Sequence, residues 1–291
     1  MSAIFILTGQ TATGKTKHAL KLAKEFNGEL INCDSRQIYE KLDIVTGKDI
    51  NLVKSFGAKI RLYDIASPKE TFSAHDYREA AQKSIRNILK RTKTPVIVGG
   101  TYFYLQELLY ERSKARIPAD WSLRKKLEGS SVLVLQQKLQ RLSPEFFNSL
   151  NQSERNNPHR LIRKIEILSQ NPSYKETGIK YEFSPFFSKM KIDITGIKFK
   201  KQSDLQIAIK KRVEERLKNG AIEEARQLIK QGFKESDPGL QTIGYKQIFK
   251  HLKGVLSLKA MTDEWVSHEI QYAKRQYTFI KTDPNIHWIT V

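Results

Sequence analysis

Residues 9–16 read Gly9-Gln10-Thr11-Ala12-Thr13-Gly14-Lys15-Thr16 and fit the spacing G-x-x-x-x-G-K-[ST]. Side chains and backbone in that order can hold phosphate. The glycines let the chain curl so that the N–H groups of Gly9, Thr11, Ala12, Thr13 and Gly14 turn inward, and the start of a following helix adds partial positive charge. Lys15 supplies a point charge for the terminal phosphates, and the Thr16 hydroxyl can ligate Mg²⁺. The expected ligand is a diphosphate or a triphosphate.

Asp34 is the next residue of chemical interest, just after the apolar run Leu30 to Cys33. Enzymes that transfer or hydrolyse phosphoryl groups pair a phosphate loop with an acid at the end of a second strand, which holds the metal. The clearest later strand, Val96 to Val98, ends in Gly99-Gly100-Thr101 and carries no acid. Some small-molecule kinases place an aspartate where Asp34 stands, so both a kinase and a different chemistry remain open.

The elements that must position these residues follow from periodicity. Residues 4–8 form a short apolar strand, and Ala19, Leu20, Ala23 and Phe26 recur at helical spacing before Asn27-Gly28 breaks the helix. Strands 30–33 and 96–98 flank a helix that Ser73 opens as N-cap, with Asp76 at its third position and an end near Arg91. Strand, helix and strand with glycine at the strand ends predict an α/β fold with a parallel sheet. From about Ser113 to Lys189 the strand signal fades and helices are expected at 122–128, 133–141 and 158–169, which reads as a helical insertion. A strand at 192–197 rejoins the sheet. Leu205, Ile209, Val213 and Leu217 then line a helix stopped by Gly220, a helix spans 222–231, another spans roughly 263–281, and a final strand lies near 287–289.

Composition narrows the partners. Hydrophobic residues make up 39% and aromatics 10%, enough for a packed core in 291 residues. The single cysteine, Cys33, forbids a disulfide framework and is expected as a buried reduced thiol, which suits the cytoplasm. The six histidines have no cysteine companions, so zinc is not expected. The start, MSAIFILTGQ, lacks a basic segment and runs into the glycine-rich motif, so it reads as a strand rather than a signal peptide. No apolar stretch approaches the ~20 residues that span a bilayer. Lys and Arg total 51 against 31 acids, a formal +20, and that surplus favours a polyanion, nucleic acid ahead of membrane.

Four further segments carry a resemblance. Asp34-Ser35-Arg36-Gln37-Ile38-Tyr39 runs on to Asp43-Ile44-Val45-Thr46-Gly47-Lys48; later come Val98-Gly99-Gly100-Thr101-Tyr102-Phe103-Tyr104 and Asn157-Pro158-His159-Arg160-Leu161-Ile162-Arg163. With the phosphate loop, and with Ile243–Gln247, Tyr272–Gln276 and Asp283–Trp288 near the end, the chain resembles the tRNA dimethylallyltransferases (isopentenyl-diphosphate:tRNA transferases) over nearly its whole length.

The resemblance implies a P-loop NTPase-like parallel sheet flanked by helices, discontinuous at 1–112 and 190–291, with an all-helical tRNA-binding insertion at 113–189. It implies dimethylallyl diphosphate held with Mg²⁺ in the phosphate loop, and as partner the anticodon stem-loop of a tRNA, whose adenosine 3′ of the anticodon is flipped into the site. By the same analogy Asp34 is the base that takes the amine proton, Arg212 and Lys15 meet the charge of the leaving pyrophosphate, and Thr101 hydrogen-bonds substrate. Arg212 could equally be an exposed surface arginine, and Thr101 an N-cap for the helix from Tyr102. Asp34, Ser35, Arg36, Gln37, Tyr39, Thr101, His159, Arg160, Leu161, Ile162 and Arg163 are the implied tRNA contacts. For Tyr39, Tyr102 and Tyr104, core packing competes with a channel-lining role. On the helix at 158–169, Arg160, Arg163 and Lys164 fall on one face and Leu161, Ile165 and Leu168 on the other, which suits a row of cations gripping RNA phosphates.

Gln10 stands where the family pattern has proline and Thr13 where it has serine. The sequence stops at Val291 without the Cys/His tail of eukaryotic relatives, so a bacterial-type member is expected, a monomer by default with no obligate protein partner and no membrane. Three rivals remain: a kinase, which leaves the basic insertion without a purpose; a prenyltransferase for free adenine nucleotides, which needs no RNA grip; and a non-catalytic RNA-binding ATPase, which lacks its acidic strand.

Overall fold

The computed structural model describes residues 2–111, 117, 119–174 and 180–291. They divide into two compact units, one built from residues up to 111 and from 181 onward, the other from residues between.

The first unit is a six-stranded, wholly parallel sheet. In chain order it holds β1 (Ser2–Gly9), α1 (Lys15–Glu25), β2 (Gly28–Asn32), α2 (Ile50–Ser55), β3 (Ile60–Arg61), α3 (Ala74–Leu89), β4 (Thr94–Val98) and α4 (Tyr102–Leu109). The sheet order is β3-β2-β4-β1 on this side, with Phe5 opposite Val96 and Leu30 opposite Val96. Ile4, Ile6, Leu30, Ile31, Val96 and Ile97 are all fully buried, as expected of strands covered by helices on both faces. Ser73 caps α3 as its sequence foretells: its hydroxyl accepts from Asp76 N, and Ser73 N donates to the Asp76 carboxylate at 2.8 Å.

The second unit holds α5 (Trp121–Leu127), α6 (Val132–Leu142), α7 (Pro144–Ser149), α8 (Gln152–Arg155) and α9 (Pro158–Gln170). Leu127, Leu135, Leu139, Phe146, Leu150, Leu161, Ile165 and Leu168 form its own hydrophobic centre. Each helix but α8 buries at least one of these, and Asp120, Ser131, Ser143, Asn151 and Asn157 cap the five N-termini through their side chains.

The chain returns to the first unit nine residues earlier than the sequence suggested. The expected start of the insertion at 113 lies outside the described residues. Its end falls at Lys180 rather than 189 because Glu111 N donates to Glu182 O, Ser184 N donates to Leu109 O, and Phe187 packs into the sheet's core. Then follow β5 (Met190–Lys198), α10 (Gln202–Lys218), α11 (Ala221–Lys230), α12 (Tyr245–Leu252), α13 (Leu258–Ile280) and β6 (Ile286–Thr290). Strand β5 pairs with β1 along its length, Phe5 opposite Asp193, and β6 closes that edge. Because every strand runs the same way, the loops after β1, β2 and β4 open on one edge of the sheet. In open α/β sheets that edge, where strand order reverses, is where ligands bind.

Among the described residues no helix is long and apolar enough to cross a membrane.

Candidate active site

The phosphate loop leaves β1 at Gly9, whose φ of +116° and whose approach to Ile197 exclude a side chain: a Cβ would lie 2.1 Å from Ile197 O. Gln10 then explains its own departure from proline. Its N–H donates to Ile197 O at 3.0 Å, and its side-chain Oε1 accepts from Phe199 N at 2.9 Å, tying the loop to the segment after β5. Thr13 Oγ1 and Lys15 Nζ both donate to Gln10 O, at 2.8 and 2.6 Å. Ala12 and Gly14 take left-handed backbone conformations, as a phosphate cradle requires.

Thr11 differs from expectation. Its N–H is taken by Gln276 Oε1 at 3.1 Å, and the Gln276 amide in turn donates to Gly100 O at 3.0 Å. Helix α13 thus fastens the phosphate loop to the segment after β4. The Thr11 hydroxyl accepts from Arg212, so Arg212 is no free surface arginine. It lies four residues from Arg216 on α10, and both guanidiniums press on Gly47, where a Cβ would meet Arg216 Nη2 at 2.4 Å and Arg212 Nη2 at 2.7 Å. Gly47 also has φ +68°, so no other residue fits there without displacing the arginines. Arg216 is buried, donates to Glu269 at 2.9 Å and to Thr46 O at 3.3 Å, and lies over the Trp265 ring. Burial, then the charge of Arg212, lowers its pKa to about 10.

On the far side of the loop, Asn32 fixes the turn after β2. Its Oδ1 accepts from Asp34 N at 3.0 Å and its amide donates to Asp34 O and Leu62 O. Asp34, half-buried, accepts from Arg36 N on one carboxylate oxygen at 2.9 Å. Ser35 N donates to Thr101 Oγ1 at 2.9 Å, and the Thr101 hydroxyl donates to Ser35 Oγ at 3.2 Å. Thr101 stands at the N-cap position of α4, as the sequence allowed, but its side chain makes no capping bond there. Gln37 donates to Gly47 O at 2.8 Å, and Arg36 reaches Pro238 O at 3.3 Å.

These segments enclose one cavity of about 950 Å³, lined by Thr11, Ala12, Gly14, Lys15 and Thr16 on one side and Asp34, Gln37, Gly47, Arg212 and Arg216 on others. Burial, then the charge of Arg212, lowers Lys15 from 10.5 to about 8, while Asp34 and Asp49 act in the opposite sense. The site thus combines concentrated positive charge, relieved by an anion, with a carboxylate beside it. Thr16 lines the cavity, and the described residues hold no group of three or more His, Cys, Asp or Glu that could bind a metal. One hydroxyl and no carboxylate cage suits Mg²⁺ arriving on a diphosphate, since that ion keeps several waters and substrate oxygens.

Other expected contacts lie elsewhere. Tyr39, Tyr102 and Tyr104 are buried among core side chains, with the Tyr102 hydroxyl on Asp283 at 2.6 Å and the Tyr104 hydroxyl on Phe72 O. In the helical unit Leu161 belongs to the hydrophobic centre, which removes its side chain from RNA, and Ile162 packs against the same centre. His159 and Arg160 are exposed. The expected row of cations is not formed: Lys164 is buried and paired with Glu154 at 3.2 Å, and Arg163 pairs with the buried Glu166 and donates to Ile117 O. An apolar helix face at 3.6-residue spacing is wider than Leu161, Ile165 and Leu168, and it takes Lys164 and Glu166 with it.

Four site residues had no assigned role in the sequence. Arg216 follows Arg212 by one helical turn, a signal that was available. Gln276 and Lys48 stand in segments that carry the resemblance, but a lone amide or lysine there has no spacing to mark it. Lys48 is buried and donates to Tyr39 O and Asp43 at 2.7 Å and to Asp64 at 2.5 Å, closing the loop from 39 to 48. Glu224 on α11 accepts from the N–H groups of Asp43, Ile44 and Val45 at 2.7–3.0 Å and from the Tyr245 hydroxyl at 2.6 Å. It holds the cavity wall from outside.

Comparison with known proteins agrees with this architecture. The family model described as IPP transferase matches residues 37–283. A tRNA dimethylallyltransferase of Acetivibrio thermocellus is 35% identical over 297 residues, 99% of this chain and 92% of that protein. One from Anoxybacillus flavithermus is 33% identical over 285 residues, 98% and 89% of the two chains. The crystal structure of full-length tRNA isopentenylpyrophosphate transferase from Bacillus halodurans matches with TM-score 0.72 and 30% identity, covering all of this chain and 90% of the other. A eukaryotic dimethylallyltransferase acting on tRNA matches in fold, with TM-score 0.79 at 23% identity, over all of this chain and 74% of its own.

Proposed function

Since the chain belongs to the IPP transferase family and is a tRNA dimethylallyltransferase by that membership, we propose that it alkylates the exocyclic amine of the adenosine 3′ of the anticodon, with dimethylallyl diphosphate as donor. The observation that carries this reading is the placing of a carboxylate, Asp34, and a cationic phosphate loop on the walls of one cavity.

The amine is a weak nucleophile because its lone pair is delocalised into the ring. As the bond from nitrogen to the allylic carbon forms, the bond from that carbon to the diphosphate oxygen breaks, and the amine proton passes to Asp34. A base so placed contributes on the order of 10²–10⁴ in rate. The pyrophosphate leaves into donors already in position: the loop amides of Ala12, Thr13 and Gly14, the Lys15 ammonium and the Arg212 guanidinium. Mg²⁺ at Thr16 supplies further charge neutralisation on the leaving group when bound. Thr101 orients Ser35, and Ser35 and Gln37 face the acceptor base. His159 and Arg160 on α9 serve the RNA, and the enzyme works as a monomer in the cytoplasm.

The test uses purified protein, Mg²⁺, radiolabelled dimethylallyl diphosphate and unmodified tRNA, with AMP and ADP as competing acceptors. Label in the adenosine 3′ of the anticodon is the expected result. Label in AMP or ADP instead, or in another nucleotide of the tRNA, overturns the assignment.

A further inference from the structure

The helical unit presents one aromatic ring in a setting that burial does not explain. Trp121, the first residue of α5, is 64% exposed, yet its surroundings are built with care. Asp120 caps the helix, its carboxylate accepting from Leu123 N at 2.9 Å, and Asp120 N donates to Glu166 at 2.5 Å. Glu166 is fully buried and takes Arg124 in a two-pronged grip, Nε to Oε1 at 2.9 Å and Nη2 to Oε2 at 3.0 Å. So fixed, the Arg124 guanidinium lies 4.9 Å from the centre of the Trp121 ring. One carboxylate within α9 therefore sets both the start of α5 and the cation that backs the indole.

We infer that Trp121 is a stacking platform for an unpaired base of the RNA substrate. A guanidinium on one face leaves the other for a second flat partner, and a base meets an indole at a cost in ordering already met by the protein. Lys125, one helical turn after Trp121 on α5, stands exposed, and with Arg124 at the ring this favours an anionic strand over an apolar protein surface. An aromatic ring flanked by Arg and Lys is how single-stranded nucleic acid is held without regard to base identity. The inference rests on the tRNA reading above and adds a named contact to it.

The test is steady-state transfer from dimethylallyl diphosphate to unmodified tRNA. Trp121→Ala is expected to raise KM for tRNA by about ten- to hundredfold, the range of one lost base stack, with kcat and KM for dimethylallyl diphosphate unchanged. Trp121→Tyr is expected to restore most of the loss. The slope of log KM against log salt is expected to stay as in the wild type, because stacking releases no counterions. In a Trp288→Phe background, where the only other tryptophan is the buried Trp265, tRNA is expected to quench the fluorescence, and adding Trp121→Phe to abolish the quench. Unchanged KM in Trp121→Ala, failure of tyrosine to restore it, or a changed salt slope overturns the platform. If the wild-type protein labels no tRNA, the functional reading fails and takes this inference with it; if it labels tRNA and Trp121→Ala does so equally well, only the inference falls.

Discussion

Thr101 and Ser35 hold one another. The Ser35 N–H donates to the Thr101 hydroxyl at 2.9 Å, and that hydroxyl donates to Ser35 Oγ at 3.2 Å. The pair joins the loop after β4 to the loop after β2, so the residue next to Asp34 is oriented from a different strand. Thr101→Val keeps the shape and removes both bonds, leaving a partly buried N–H without its acceptor. The loss should be about 1–3 kcal/mol of positioning, read as a fall in kcat of about 5- to 100-fold. Thr101→Ser should recover most of it. Normal turnover by the valine variant would show that the pair is idle.

Asp34→Asn preserves the contact with Arg36 N in size and shape but cannot take a proton. We expect kcat to fall by about 10²–10⁴ while tRNA affinity in a filter-binding assay changes little. Transfer at the wild-type rate would exclude Asp34 as the base.

Lys15 predicts a pH dependence. Its pKa is lowered from 10.5 to about 8, by burial first and by Arg212 second. Above about pH 8 the empty site therefore holds a neutral Lys15, and a bound diphosphate draws the proton back. Calorimetry near pH 9, in two buffers of different ionisation heat, should show proton uptake on diphosphate binding. Affinity should weaken by up to about tenfold per pH unit above that value. Lys15→Met should abolish the uptake, and a wild type that takes up none would contradict the assignment. Stability of the empty protein follows the opposite course. The folded pKa lies below the unfolded one, so the penalty for charging Lys15 is complete below about pH 8 and gone above 10.5.

Glu224 never touches the cavity, yet it collects the N–H groups of Asp43, Ile44 and Val45. Glu224→Ala leaves those donors without an acceptor and should cost about 1–3 kcal/mol, seen as a lower Tm together with a raised KM for dimethylallyl diphosphate. Glu224→Gln, which keeps an acceptor, should fall between. A fall in Tm with KM untouched would mean that the Asp43–Gly47 wall does not help hold the diphosphate.

Arg160 is the exposed arginine of α9, whereas Arg163 is engaged by Glu166. Arg160→Ala should weaken tRNA binding and reduce the slope of log K against log salt by about one. Arg163→Ala should instead lower the Tm, because it strips a partner from a buried carboxylate. Identical behaviour of the two variants would contradict the distinction.

What could be read in the sequence was local. The phosphate loop, the Ser73–Asp76 capping box and the strand at 96–98 each declare themselves within a few residues, through spacing and residue type. Strand β3, only Ile60 and Arg61, is too short to leave a period, and α8 has no buried residue to mark a face. The site is legible where a motif spans it and opaque where it depends on distant partners. Nothing near Thr11 announces Gln276, and nothing near Lys164 announces Glu154. Helical spacing placed Lys164 with Arg160, but a helix face has a width, and the ion pair with Glu154 decided on which side of it Lys164 fell.

The bond from Thr11 to Gln276 joins residues 265 positions apart. A ribosome adding roughly 5–20 residues per second would release those two partners roughly 15–50 s apart. Strand β1 likewise waits for β5 before its second edge is paired. The first segment made is thus the last to be finished, and its exposed edge is a hazard for as long as translation continues.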